Sequence, residues 1–368
     1  MREYRKYVVG DVVEIRSKEE ILETLDKSGR LDGLPFMPQM FNYCGQRFRV
    51  YKRAHKTCDT VNQTGGRSMA DGVHLDLRCD GRAYGGCQAG CLIFWKDAWL
   101  KPVDGRKPPD LSATIVNGEP RSRQPCTEQD VWAATRTPGR QDDREPAYVC
   151  QATQLPAATT PLTWWDVRQY VADYASGNVG ILRILRGLLY ASYYNLSRAG
   201  IGLGPIMRWF YDHFQALWGG LPYPRKAGSI PAGERTPHAA LNLQPGELVR
   251  VKSLEQILTT LDTDNKNRGL YFDAEAVPYC GQTYRVLSRV NRILDEKTGR
   301  LIEFKNEAII LEGVFCQARY SACRMFCPRA IYTYWREIWL ERVSESYPGR
   351  KKVGPTGRRF PSPLNSPA

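Results

Sequence analysis

Histidine is scarce in this chain, with four residues, His55, His74, His213 and His238, among 368. So few leave little room for imidazole acid–base chemistry or histidine-rich metal sites. No P-loop, dinucleotide-binding glycine fingerprint, G-x-S-x-G or H-E-x-x-H occurs, and the chemistries those motifs announce are not expected. GIGLG, from Gly200, is followed by Pro205 and reads as a helix break rather than a phosphate turn. Long hydrophobic runs are also missing. The most apolar helical stretch, 181–189, is interrupted by Arg183 and Arg186, well short of the roughly twenty apolar residues that a membrane span requires. The opening residues, MREYRKYVVGDVVEI, hold no apolar core and no small-residue cleavage site. No secretory signal and a reducing, cytoplasmic setting are therefore expected.

What is present is ordinary for a globular protein in bulk, with 42% hydrophobic and 25% charged residues. The formal net charge of +13 admits nucleic acid, an acidic protein or an anionic membrane surface as a partner. The basic residues are dispersed rather than blocked, as on a solvated surface. Eleven cysteines stand out. In a reducing compartment they point to metal or redox chemistry before a disulfide scaffold.

The chain repeats itself. GDVVEIRSKEEILETLD, from Gly10, matches GELVRVKSLEQILTTLD, from Gly246, at an offset of 236 that holds without a gap to Ala54 and Val290. Roughly two positions in five are identical, which marks an internal duplication. YCGQRFRV (from Tyr43) matches YCGQTYRV (from Tyr279), and WKDAWL (from Trp95) matches WREIWL (from Trp335). The expected fold is α+β: two tandem homologous, small, β-rich modules with a pattern similar to SH3-like barrels, an analogy of fold without functional content. Copy one covers 8–103 and copy two 244–343. Between them lie a Pro/Gly-rich connection (104–160), a helical segment (161–220) and a linker (221–243), and a basic, disordered tail (344–368) follows. Each copy is expected to begin with a short strand and a helix opened by a capping box, Ser17 with Glu20 and Ser253 with Gln256. Copy two then predicts a hairpin around DEKTGR. The tryptophan pairs, Trp95 with Trp99 and Trp335 with Trp339, are four apart and read as one face of a closing helix, in the core rather than stacked on bases.

Four cysteines hold their place in both copies: Cys44, Cys79, Cys87 and Cys91, and Cys280, Cys316, Cys323 and Cys327. Both sets follow C-x(34 or 35)-C-x(6 or 7)-C-x3-C. Thiolates are soft, charged donors, and four of them suit tetrahedral zinc or an iron–sulfur cluster. Zinc is the favoured expectation, two sites stapling two small modules, because the spacing matches neither ferredoxin pattern. Iron–sulfur clusters, and with them electron transfer or redox catalysis, are the alternative; nucleic-acid binding is a third. His55, Cys58, Cys126 and Cys150 have no counterpart in the other copy and read as free groups rather than a third site. His74, near Cys79, reads as a polar surface residue rather than a ligand. The function expected is metal-dependent binding or assembly, with no catalytic residue identified.

Overall fold

The computed structural model describes residues 6–105, 125–137, 146–197, 204–217, 220–321 and 323–343. The expected tail and most of the glycine-rich break near Gly200 lie outside the described residues. The fold mixes helix and sheet. Its helices are α1 (Lys18–Leu22), α2 (Glu128–Ala133), α3 (Leu155–Ala158), α4 (Arg168–Ala175), α5 (Ile181–Ser197), α6 (Gly204–Leu217) and α7 (Leu254–Leu258).

The same local order occurs in both cysteine-bearing regions. Strand Val12–Ile15 lies between Leu100–Pro102 and Arg47–Arg49, all antiparallel. Strand Leu248–Val251 lies likewise between Leu340–Arg342 and Thr283–Leu294. Both capping boxes form. Glu20 N donates to Ser17 Oγ at 3.3 Å while Ser17 N donates to Glu20 Oε2 at 3.0 Å, and Ser253 and Gln256 repeat this at 3.3 and 3.0 Å. Each box fills two backbone donors that helices of only five residues cannot fill themselves.

The regions differ after the shared sheet. In the second, Thr283–Leu294 runs into a hairpin with Leu301–Phe315, and a five-stranded sheet results, ordered Tyr332–Trp335, Leu301–Phe315, Thr283–Leu294, Leu248–Val251, Leu340–Arg342. In the first, short strands form separate three-stranded sheets, one of which takes Thr160–Leu162 from the connection. No sheet among the described residues closes into a barrel.

The tryptophan pairs correct one expectation. They stand on no α-helix: Trp95 and Trp335 lie on strands, and one 3-10 turn (Asp97–Trp99, Glu337–Trp339) carries the chain on to the next strand. The turn brings both indoles of each pair inward, and all four are fully buried. Trp99 Nε1 donates to Thr24 Oγ1 at 3.0 Å and Trp339 Nε1 to Thr260 Oγ1 at 2.9 Å. The acid inside each turn is buried on an arginine, Asp97 on Arg53 at 2.6 Å and Glu337 on Arg289 at 2.7 Å. His74 is also buried rather than exposed, with Nδ1 2.8 Å from Ile93 O; burial pushes its pKa down to about 3.

Only part of the connection lies among the described residues. Cys126, Val131, Tyr148, Cys150 and Leu155 all join the first core. α4 starts later than the sequence pattern suggests, because Asp166 takes Arg168 N at 3.0 Å and leaves Trp164 and Trp165 in the preceding turn.

Candidate metal–thiolate centres

The two regions interlock at their cysteine-bearing loops. Gln88 N donates to Arg292 O at 3.0 Å, and Gln88 Oε1 accepts Asn291 N and Arg292 N at 2.7 and 3.1 Å. This docks the loop around Cys87 on the edge of the second region's hairpin, where the strand register shifts between Val290 and Arg292. Arg78 reaches Ala330 O at 3.0 Å and stacks 3.9 Å from the ring centroid of Tyr332.

At this junction Cys79, Cys87, Cys91 and Cys150 line one cavity of about 40 Å³, walled mainly by Met37, Tyr84, Phe94 and Leu294, with Glu296 and Arg329 as its charged groups. Cys79 and Cys91 face each other across a short bridge, with Cys79 N bonded to Cys91 O at 2.8 Å. Cys87 follows a 3-10 turn that needs glycine. Gly81 has φ +69°, and a Cβ there would sit 1.8 Å from Cys87 O. Cys87 Sγ accepts the backbone N–H of Leu294 at 3.3 Å. Cys150 comes from the connection, not from the repeat. Its neighbour Gln151 clamps it in place by bonding both Phe94 N and Phe94 O at 2.9 Å.

A second group of thiols gathers on the other side of Arg329. Cys58, on strand Lys56–Asp59, is hydrogen-bonded by the thiol of Cys327, and Cys316 lies within electrostatic reach of both. Cys323 packs over the Cys58–Gly66 ladder pair: its carbonyl oxygen is 3.4 Å from where a Cβ on Gly66 would stand. Arg329 Nη1 is 4.0 Å from Cys58 Sγ.

The first cavity thus brings together three of the four matched cysteines of copy one with Cys150, and the second group sets Cys316 and Cys327 near Cys58, with Cys323 exposed at its edge. Cys44 is not among the cavity's residues; its charged neighbours are Lys18 and Glu19. Cys280 lies beside Glu255, its Sγ 4.0 Å from Ala276 O. Of the remaining groups, His55 faces Asp173 at 3.3 Å, and Cys126 lies by Gly29 and Asp130. Sequence reasoning missed the placement of Cys58 beside Cys327 and of Cys150 in the cavity. Three cysteines lie outside the matched sets, Cys58 within copy one and Cys126 and Cys150 in the connection.

The offset of 236 explains the arrangement. Four residues beyond the ungapped match, Cys58 falls opposite Leu294. Each of the two points into the other region's centre, Cys58 at Cys327 and Leu294 into the cavity with Cys87. Leucine offers no donor, and Cys150 stands on that side instead.

Electrostatics separates the two centres. Burial pushes the Cys79 thiol up to about 12 and Cys150 up to about 11, and raises Cys91 against the pull of Arg329. Cys58 moves the other way. The hydrogen bond from Cys327 and the charges of Arg329 and Arg324 outweigh burial and favour its thiolate, while Cys327 is held protonated. Burial works against the charge on Arg329, yet Glu296 and the thiols of Cys58 and Cys91 outweigh it and hold the guanidinium protonated.

A pH dependence follows for the metal-free protein. The ordinary thiol value is 9.0. Between there and about 11–12, the thiols of the unfolded chain ionise while Cys79 and Cys150 in the fold do not. Proton binding is then greater in the folded state, so stability present below pH 9 is lost as pH rises. The melting temperature of metal-free protein should fall across this window, and Cys79→Ala should flatten the fall.

Among the described residues, no three His, Cys, Asp or Glu side chains converge closely enough to chelate a single ion. No described helix is long and apolar enough to cross a membrane. In comparisons with known proteins, no family model and no curated sequence matches the chain.

Proposed function

We propose that this chain carries two cysteine-bound iron–sulfur clusters, one on Cys79, Cys87, Cys91 and Cys150 and the other on Cys58, Cys316, Cys323 and Cys327, and that it serves electron transfer or redox chemistry. The carrying observation is the first cavity: four cysteines line it between mostly apolar walls. A single zinc draws its sulfurs to about 2.3 Å from one centre, whereas a cluster spreads its thiolates around a multi-atom core. The cavity, at about 40 Å³, exceeds the roughly 10–15 Å³ that one water needs.

The donor set and its surroundings suit such a group. The thiols are soft, the walls are mostly apolar, and a buried guanidinium offsets negative charge. A bound cluster would supply one-electron chemistry. The chain's own residues hold the thiols, exclude water and place Arg329 between the two centres. The two regions are read as copies of one module that have exchanged a position.

Zinc at the same residues is the second reading, favoured by the close Cys58–Cys327 contact. Purification without oxygen, followed by elemental analysis and an ultraviolet–visible spectrum, tests both. Iron with acid-labile sulfide and a brown colour that bleaches on reduction is the expected result. Two zinc ions per colourless chain would replace clusters with structural staples. A chain without either metal would sink both readings.

A further inference from the structure

α5 and α6 are inverted relative to the usual surface helix. In α5 the buried residues are small or few: Ile184 and Ala191 join a core with Phe326, and Gly187 lies so close to that ring that a Cβ would sit 2.4 Å from Cζ. The opposite stripe carries Leu182, Leu185 and Leu189. α6 buries none of its residues. Its polar and tyrosine side turns inward, where Asp212 accepts Tyr223 N at 2.7 Å and pairs with Lys226 at 2.8 Å. Its outward stripe carries Trp209, Phe210 and Phe214. These six side chains are 54–72% exposed. A surface this apolar marks an interaction site.

The charges say what kind. Between 168 and 217 the acidic residues are Asp173 and Asp212 alone. Asp173 is buried on Lys56 at 2.5 Å, and Asp212 is tied inward as above. Arg186 stands exposed beside the α5 stripe, while Arg183 donates to Gln317 O at 3.1 Å and Arg208 lies over the Tyr223 ring at 5.6 Å, within a chain of net charge +13. Leucine, tryptophan and phenylalanine bordered by arginine, on helices too short or too polar to span, are the composition that lies in the headgroup layer of an anionic bilayer.

We infer that the α5–α6 face docks the protein on an anionic lipid surface, with Trp209, Phe210 and Phe214 entering the headgroup–acyl boundary and Arg186 meeting lipid phosphate. This stands independently of what the thiols bind. The test is co-sedimentation of the full chain with phosphatidylcholine vesicles, with and without phosphatidylglycerol, alongside light scattering of the protein alone. The expected result is binding to the anionic vesicles that weakens with salt, shifts tryptophan emission to the blue, and falls roughly tenfold or more in Phe210→Ser/Phe214→Ser. Leu185→Ser/Leu189→Ser should weaken binding likewise; as these side chains are exposed, both variants should keep the parent's circular dichroism and metal content. No binding to anionic vesicles at low salt would overturn the inference. So would a dimer in solution that the same substitutions dissociate, since a second copy would then cover the face.

Discussion

Replacing Cys150 or Cys58 with serine should each remove one of the two centres, about half of the bound metal, while Cys44→Ser and Cys280→Ser should leave both in place. The expectation rests on where the side chains stand. Cys150 lines the cavity with Cys79, Cys87 and Cys91, and Cys58 is bonded by Cys327. Cys44 and Cys280, the pair that the repeat selects, sit beside α1 and α7 against Glu19 and Glu255. Metal content per chain, measured on all four variants after identical anaerobic purification, decides the ligand sets. If the Cys44 and Cys280 variants lose metal and the other two keep it, the sets revert to the sequence-matched ones.

The second large effect belongs to Arg329. It is 2% exposed, donates to Thr60 Oγ1 at 2.5 Å and Glu296 Oε1 at 2.7 Å, and touches Cys58. Arg329→Met removes the cation and leaves Glu296 with the Thr60 hydroxyl but without its charged partner. Breaking a buried pair costs about 3–5 kcal/mol. Glu296 keeps 21% of its side chain in water, so the lower end, about 3 kcal/mol, is expected. Arg329→Lys should recover only part, because a point charge cannot serve Thr60 and Glu296 at once as the guanidinium fork does. With clusters bound, losing this positive charge should also lower both reduction potentials, since reduction adds negative charge nearby. Denaturant unfolding and a redox titration read the two effects separately. A variant with parental stability and potentials would remove Arg329 from any role between the centres.

Local features were legible in the sequence because local residues decide them. The capping boxes at Ser17 and Ser253 need only residues three apart, and the hairpin around Asp295–Arg300 closes through its own turn, with Asp295 N bonded to Arg300 O at 2.8 Å. Burial of the tryptophans was legible from their recurrence, but the four-residue spacing misled on conformation: a strand, a 3-10 turn and a strand also bring both indoles to one side. The groupings of the thiols were only partly legible, because matching copies has a blind spot. Matching two copies selects what they share. Cys44 and Cys280 are shared because the YCG turn is shared, with Gly45 at φ +74° and Gly281 at φ +73°. A residue donated across the junction is opposite something different, as Cys58 is opposite Leu294, and comparison discards it. Cys150, from a segment with no copy, is invisible to it altogether.

The reciprocal placement of Cys58 and Leu294 bears on synthesis. The first cavity needs Leu294, Glu296 and Arg329 for its walls, and the second group needs Cys58 from the opposite half. A ribosome that has delivered only the first half has made the cavity's four thiols and most of its lining, but not Leu294, Glu296 and Arg329. Neither group is then complete until the far half has emerged and docked; if the groups hold clusters as proposed, their loading would wait for the end of translation, and severing the chain at its apparent domain boundary should leave each half unable to bind one.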